Sequence, residues 1–283
     1  ALPYNLEAIE IMIESGDTKN LWENYMHVST IYENMGDFEK ALEYHFKSLK
    51  IREAAGNKNG MASCYNNIGI IYQNQSKYAR SITFHLKSLK TYEATGKKLG
   101  MAMALNNIGI NYRSQGNYSR ALDYYLKSLK IKEELGYKRG MAYSYNNIGS
   151  LYKILENYQL ALKYQYKSIK IKIELGDKQG LAKSYNNIGS IYKITGDYDR
   201  ALEYNLKSLE IAQEINERAG IANALSNIGS IYYQQEKYNK ALETWLRSKN
   251  AYEAMGKKSG LAVIYTNIGA AYGQLGKYKD ALG

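Results

Sequence analysis

With 283 residues, 45% of them apolar and 23% charged, the chain can bury a sizeable core and is not a disordered protein. Thirty-eight basic residues against 27 acidic ones leave a net charge of +11, which favours acidic partners, be they proteins, nucleic acid or an anionic surface. A single cysteine, Cys64, excludes an intramolecular disulfide and any CxxC metal or redox site, and no run of about 18 apolar residues is present to span a membrane.

Residues 1–20 open on Ala1 and carry Glu7, Glu10 and Glu14 where a secretion signal would place a basic and then an apolar segment. The expectation is a processed chain or a piece of a longer one, cytoplasmic by preference and periplasmic if an upstream signal has been removed. From Leu21 the sequence returns every forty residues: LWENYMHVSTIY, MASCYNNIGIIY, MAMALNNIGINY, MAYSYNNIGSLY, LAKSYNNIGSIY, IANALSNIGSIY and LAVIYTNIGAAY, without insertion or deletion. Full blocks occupy 21–60, 61–100, 101–140, 141–180, 181–220 and 221–260. Residues 1–20 match a second half-block, and 261–283 form a truncated block from which further chain, such as an effector domain, is expected. A fixed period of this size marks a single solenoid array over 1–283, because one block cannot bury its apolar face without a neighbour.

Within each block a first apolar stripe falls at helical spacing, as Tyr185, Ile188, Gly189 and Tyr192 do at i, i+3, i+4 and i+7. A turn follows at Gly36, Gly116, Gly196 and Gly276, and Asp37, Asn117, Asn157 and Asp197 stand where they can cap a second helix. That helix carries Tyr198, Ala201, Leu202, Leu206 and Leu209 as its packed stripe. It is predicted to end at glycines such as Gly176 and Gly180 in GDKQG, where left-handed backbone is tolerated. The pattern is all-α: antiparallel helix pairs, repeated, with no strand signal.

These residues resemble the tetratricopeptide repeat, whose signature sets a large residue, Leu-Gly, Tyr, Ala, an aromatic and Pro at fixed offsets. The block from Ala182 supplies Tyr185, Ile188-Gly189, Tyr192, Gly196, Tyr198, Ala201 and Tyr204, and the match recurs in every block. Two features depart from the family pattern: the period is forty against ~34, and the terminal proline is missing, Pro3 being the only one. Both are similar to the long-repeat arrays of Pins-like polarity adaptors and of bacterial sensor kinases and transcription regulators. The extra residues are expected to lengthen the second helix and the loop between blocks. The resemblance implies a right-handed superhelical solenoid whose first helices line a concave groove. It implies a protein-binding scaffold or adaptor with no enzymatic activity of its own, the sensory region of a larger signalling protein being the alternative.

Most of the thirty tyrosines recur at the offsets of Tyr185, Tyr192, Tyr198 and Tyr204, where helix packs on helix. Core packing therefore outweighs base stacking, and a nucleic-acid partner is disfavoured. The row Lys47, Lys87, Lys127, Lys167 and Lys207 is partly neutralised by Glu43, Asp123 and Glu203 four residues earlier, and reads as a solvated convex face. AMGKKS at 254–259 lacks the leading glycine of a phosphate loop and reads as an inter-block turn. His27, His45 and His85 fall at two unrelated offsets without ligand spacing, and Cys64 shares its offset with Ala104, Ser144, Ser184 and Ala224. No catalytic residue, metal site or cofactor is predicted.

Ten asparagines fill the two positions before Ile-Gly, although each costs about 0.5–0.7 kcal/mol relative to alanine inside a helix. Something has to offset that cost, and two roles are open. The first of each pair, Asn66, Asn106, Asn146 and Asn186, is assigned to bridging neighbouring helices. The second, Asn67, Asn107, Asn147, Asn187, Asn227 and Asn267, is assigned to the groove, with His27 interrupting the series in the first block. An amide offers both donor and acceptor to an extended main chain; the spacing gives the ladder, and the resemblance supplies its peptide ligand. On the same stripe lie Tyr143, Lys183 and the row Gln73, Arg113, Lys153, Lys193, Tyr233 and Gly273, whose three consecutive basic members favour an acidic peptide. The family's carboxylate clamp is not matched, because its first offset reads Ser63, Met103, Tyr143, Lys183, Asn223 and Val263 and its second is asparagine. A homo-oligomer through terminal repeats is the rival partner.

Overall fold

The computed structural model describes residues 2–16 and 20–277. Among them are fourteen α-helices and no strand: α1 (Leu2–Glu14), α2 (Leu21–Asn34), α3 (Phe38–Ala54), α4 (Lys58–Asn74), α5 (Tyr78–Thr95), α6 (Lys98–Ser114), α7 (Tyr118–Glu134), α8 (Lys138–Ile154), α9 (Tyr158–Glu174), α10 (Lys178–Ile194), α11 (Tyr198–Glu214), α12 (Arg218–Gln234), α13 (Tyr238–Glu253) and α14 (Lys258–Gln274). They fall into two compact units, one up to Gly140 and one from Met141. The start of the second helix predicted for the last block, at 278–283, lies outside the described residues. No helix among the described residues is long and apolar enough to cross a membrane.

The forty-residue period resolves into two seventeen-residue helices and two three-residue connections, as α10 and α11 show with Thr195–Asp197 between them. The extra length over the usual repeat therefore goes into both helices, and the loop between blocks stays short, contrary to the sequence expectation. Gly176 is left-handed as predicted, at φ 63°. Gly180 is not: it sits in the first turn of α10, where its N–H donates to Asp177 Oδ1 at 2.9 Å. A side chain at 180 would run into the Asp177 carboxylate, so this glycine serves the cap of the next helix. Asp37, Asn117, Asn157 and Asp197 cap the second helices in the same way, accepting from Lys40, Arg120, Leu160 and Arg200.

Within a block the turn after the first helix needs a left-handed residue, supplied by Gly36, Gly116, Gly196 and Gly276 but by Ser76, Glu156 and Glu236 in the other blocks. A side chain there costs roughly 1–2 kcal/mol. Glu156→Gly is therefore expected to raise stability by about 1 kcal/mol, read as a higher urea midpoint with an unchanged slope; no rise would mean that the loop relaxes at no cost.

The first unit packs Leu21, Tyr25, Val28, Tyr32 and Ala41 into its core, and the second packs Ile169, Ile188, Tyr192, Ala201 and Ile231. Between the two helices of a pair runs a lock that sequence reading left unassigned. Ser88, Ser128, Ser168, Ser208 and Ser248 each donate to the carbonyl of an alanine 26 residues earlier, at 2.7–2.9 Å. A buried column of changing residue type, His45, His85, Tyr125, Gln165, Asn205 and Trp245, also fills each pair. From His85 onward its members lie where the first helix carries a glycine, as Tyr125 does on Gly109 and Trp245 on Gly229, and Ser29 holds the matching position in the first block.

Leu206, expected in the packed stripe, is half exposed, as are Phe46, Leu86, Leu126, Tyr166 and Leu246 at the same offset. This offset leans sideways onto the aromatic ring of the next block instead of into its own pair: Phe46 lies 6.0 Å from Phe84, and Tyr166 lies 6.3 Å from Tyr204. The acid–lysine pairs expected in the lysine row form. Lys47, Lys127 and Lys207 meet Glu43, Asp123 and Glu203 at 2.6–2.7 Å and also cover tyrosine rings, all on exposed helix surface where such pairs contribute little.

Candidate functional site

Each first helix presents one stripe of polar residues that the core does not absorb, repeated at fixed offsets. In the second unit Tyr143 and Lys183 stand exposed on it, and Asn147, Asn187, Asn227, Asn267, Lys153 and Lys193 are half-buried. In the first unit Asn67, Asn107 and Arg113 are half-buried at the matching positions, and His27 is exposed.

The two asparagine series are partners of each other. Asn107 Nδ2 donates to Asn66 Oδ1 at 3.0 Å, Asn187 Nδ2 to Asn146 Oδ1 at 3.0 Å, and Asn227 Nδ2 to Asn186 Oδ1. The second amide of one block thus hangs on the first amide of the block before it, so bridging engages both series and not the first alone. The bond uses the donor end of the second series. No described residue takes the amide oxygen of Asn107, Asn187 or Asn227, which keeps an acceptor for a main-chain N–H. Asn67 and Asn267 have no asparagine to pair with, since Met26 and Ser226 hold the partner positions.

The lysines are the second feature. Lys153 Nζ donates to Ser190 Oγ at 3.4 Å. Burial holds the Lys153 ammonium below its ordinary pKa; burial and then the charge of Lys153 do the same to Lys193. No described carboxylate pairs with either. Two half-buried like charges without a counter-ion are a standing electrostatic cost, relieved by any anion that docks between them. Lys183 and Tyr143 are brought to the same stripe, with no hydrogen bond or ion pair to a described residue.

Sequence reading missed Asn111, fully buried one turn beyond Asn107, whose amide donates to Gln73 Oε1 at 3.0 Å and to the Asn107 carbonyl at 2.8 Å. The signal was a single polar exception in a column otherwise held by Ile71, Leu151, Ile191 and Ile231. It also missed Lys172, buried and bonded to the Gly180 carbonyl at 3.1 Å and Ser184 Oγ at 2.7 Å, its pKa pushed down to about 8 by burial. Cys64 is buried with its thiol pKa raised by burial, as suits a packing residue. Among the described residues no cluster of three or more side chains could hold a metal.

A family model described as tetratricopeptide repeat matches residues 23–94, 60–134, 140–214 and 220–283. No curated protein sequence matches the chain. Among solved structures it is similar to BtubC from P. vanneervenii, at 20% identity and a TM-score of 0.69 over 78% of this chain and 92% of that one. It is also similar to a signal transduction ATPase with numerous domains that carries a tetratricopeptide repeat sensor, from Pyrococcus horikoshii, at 17% identity and a TM-score of 0.76 over 93% of this chain and 40% of that one. A third is a Rap protein complexed with competence and sporulation factor, at 15% identity and a TM-score of 0.64 over 91% and 76%. At such identities the likeness is one of fold.

Proposed function

Because the chain belongs to the tetratricopeptide repeat family, we propose that it is a non-catalytic binding module whose first helices hold an extended, acidic segment of a partner protein. The observation that carries this reading is the pair Lys153 and Lys193, half-buried, mutually repelling and without a carboxylate. A glutamate or aspartate of the partner supplies the missing charge, while the amide oxygens of Asn187 and Asn227 in the same unit accept from its main chain; in the first unit the Asn107 amide oxygen offers the same acceptor. Lys183 and Tyr143 add a flexible outer cation and an aromatic surface to the stripe of the second unit, and Arg113 is the cation at the matching position of the first. The Rap protein structure, of the same fold and complexed with a factor, supports the reading, and the Pyrococcus protein supports a second one, a sensor region within a longer chain.

Fluorescence anisotropy with labelled dodecamer pools, one rich in Asp and Glu and one rich in Lys and Arg, tests it. The acidic pool is expected to bind, and Lys153→Ala with Lys193→Ala to weaken it at least about tenfold, since each charge-assisted bond contributes roughly 1.5–3 kcal/mol. Equal binding of both pools, or no loss in the double variant, would sink the proposal.

A further inference from the structure

Between the end of α5 and the start of α6, inside the first unit, lies an open cavity of about 590 Å³. Its walls are apolar: Leu99, Met103 and Leu135 line it and are 44%, 51% and 43% exposed, an unusual gathering of large side chains that the core leaves uncovered. Its floor is rigid. The Tyr92 ring lies flat on the backbone of Gly100, so close that an added Cβ would stand 2.6 Å from it, and the Tyr92 hydroxyl shares a hydrogen bond with Ser63 Oγ at 2.9 Å. At the mouth Lys98 is tied to Glu134 at 3.1 Å, whereas Lys97 is exposed and has no described partner. The matching place between α9 and α10 is built otherwise. There Lys172 replaces Tyr92 and is bonded into the turn, while Gln179 and Lys183 replace Leu99 and Met103.

We infer that this cavity is an anchor pocket taking one large apolar side chain, of the leucine or phenylalanine class, from an acidic segment of a partner held along the stripe of the first unit at Asn107. The inference rests on the binding role proposed above. Met103 and Asn107 lie four residues apart on one stripe of α6, a rise of about 6 Å. A main chain held at the Asn107 amide oxygen therefore carries its neighbouring side chains to the cavity mouth. Lys97 at that mouth matches the acidic residues of the segment, and the walls formed by Leu99, Met103 and Leu135 match an apolar side chain, the polar groups of the lining being Asn59, the hydrogen-bonded Tyr92 and Ser63 hydroxyls and the two lysines. An apolar side chain held in such a pocket is where binding energy concentrates.

Methionine methyl NMR reads the pocket without a partner in hand. In protein carrying 13C-methyl methionine, N-acetyl-leucine amide and N-acetylphenylalanine amide are expected to shift the Met103 signal saturably, and Leu99→Asp to abolish the shift. If neither amide moves Met103 more than the other methionines, the pocket inference is overturned. A second arm separates it from the binding role. An acidic dodecamer carrying one leucine should bind at least tenfold more tightly than its alanine counterpart, and Leu99→Asn, which adds no charge, should erase that difference. Equal affinity of the two peptides overturns the anchor. A Met103 shift with the amides but no binding of either peptide leaves the pocket standing and removes the acidic-segment reading.

Discussion

Acidification from pH 6.5 to pH 4 is expected to unfold the first unit while the second stays folded. His45 and His85 both belong to the first unit and are almost completely buried, and burial lowers each from 6.5 to about 4, with the nearby charge of Arg52 adding to the effect at His45. The sign follows from where the protons go. Between pH 6.5 and 4 the unfolded chain takes up a proton at each imidazole that the folded chain refuses, so stability is full above 6.5 and drains as pH falls to about 4. At 1.36 kcal/mol per unit, each histidine accounts for about 3 kcal/mol, and the two together for much of the stability of an ordinary domain. The chain has one tryptophan suited to each unit, Trp22 in the first and Trp245 in the second. Urea unfolding at pH 7 and pH 4.5, followed in Trp245→Phe and separately in Trp22→Phe, should show a large loss for the first and a small one for the second. His45→Gln with His85→Gln, which copies the residue that Gln165 places in the same column, should flatten the difference. Parallel losses in both units would mean that carboxylates and not these imidazoles govern acid unfolding.

Gly109→Val is expected to cost at least about 3 kcal/mol, at the upper end for overpacking. An added Cβ would lie 2.7 Å from the Tyr125 ring and 3.2 Å from the Ala121 carbonyl. Tyr125 has no room to retreat: it is fully buried, its phenol pushed up to about 12 by that burial. Gly273, also helical, has nothing within 4 Å of the same position, so Gly273→Ala should be neutral or mildly stabilising through helix propensity alone. Adding Tyr125→Ala to Gly109→Val should recover part of the loss, measured by urea unfolding with Trp22 as reporter. A tolerated Gly109→Val would show that the helices of the pair can part without penalty.

The period and the helix pairs were legible because apolar residues recur at helical spacing and the capping Asp or Asn recurs at a fixed offset. The paired surface lysines were legible because an acid four residues earlier is a local signal. The buried column of His45, His85, Tyr125, Gln165, Asn205 and Trp245 was not, since six unlike side chains at one offset look like a surface position. What they share is a glycine or serine opposite them on another helix, and sequence does not show which residues face each other. The serine lock was hidden for the same reason, inside LKS strings that read as basic stripe. At the candidate site the spacing showed two rows of amides but not that they bond to each other, because the bond joins residues 41 apart rather than 40.

That ladder and the serine lock also govern how such a chain can be inherited. Each serine bond closes within one block, and each amide bond joins one block to the next by the same two atoms. Copying a whole block adds one lock and one rung and disturbs none already present. Adding or losing any other number of residues turns an amide away from its neighbour and a leucine or isoleucine toward water. Forty residues is therefore the smallest step by which recombination can change the reach of the polar stripe, and a lineage of such proteins should differ in block number before it differs in block length.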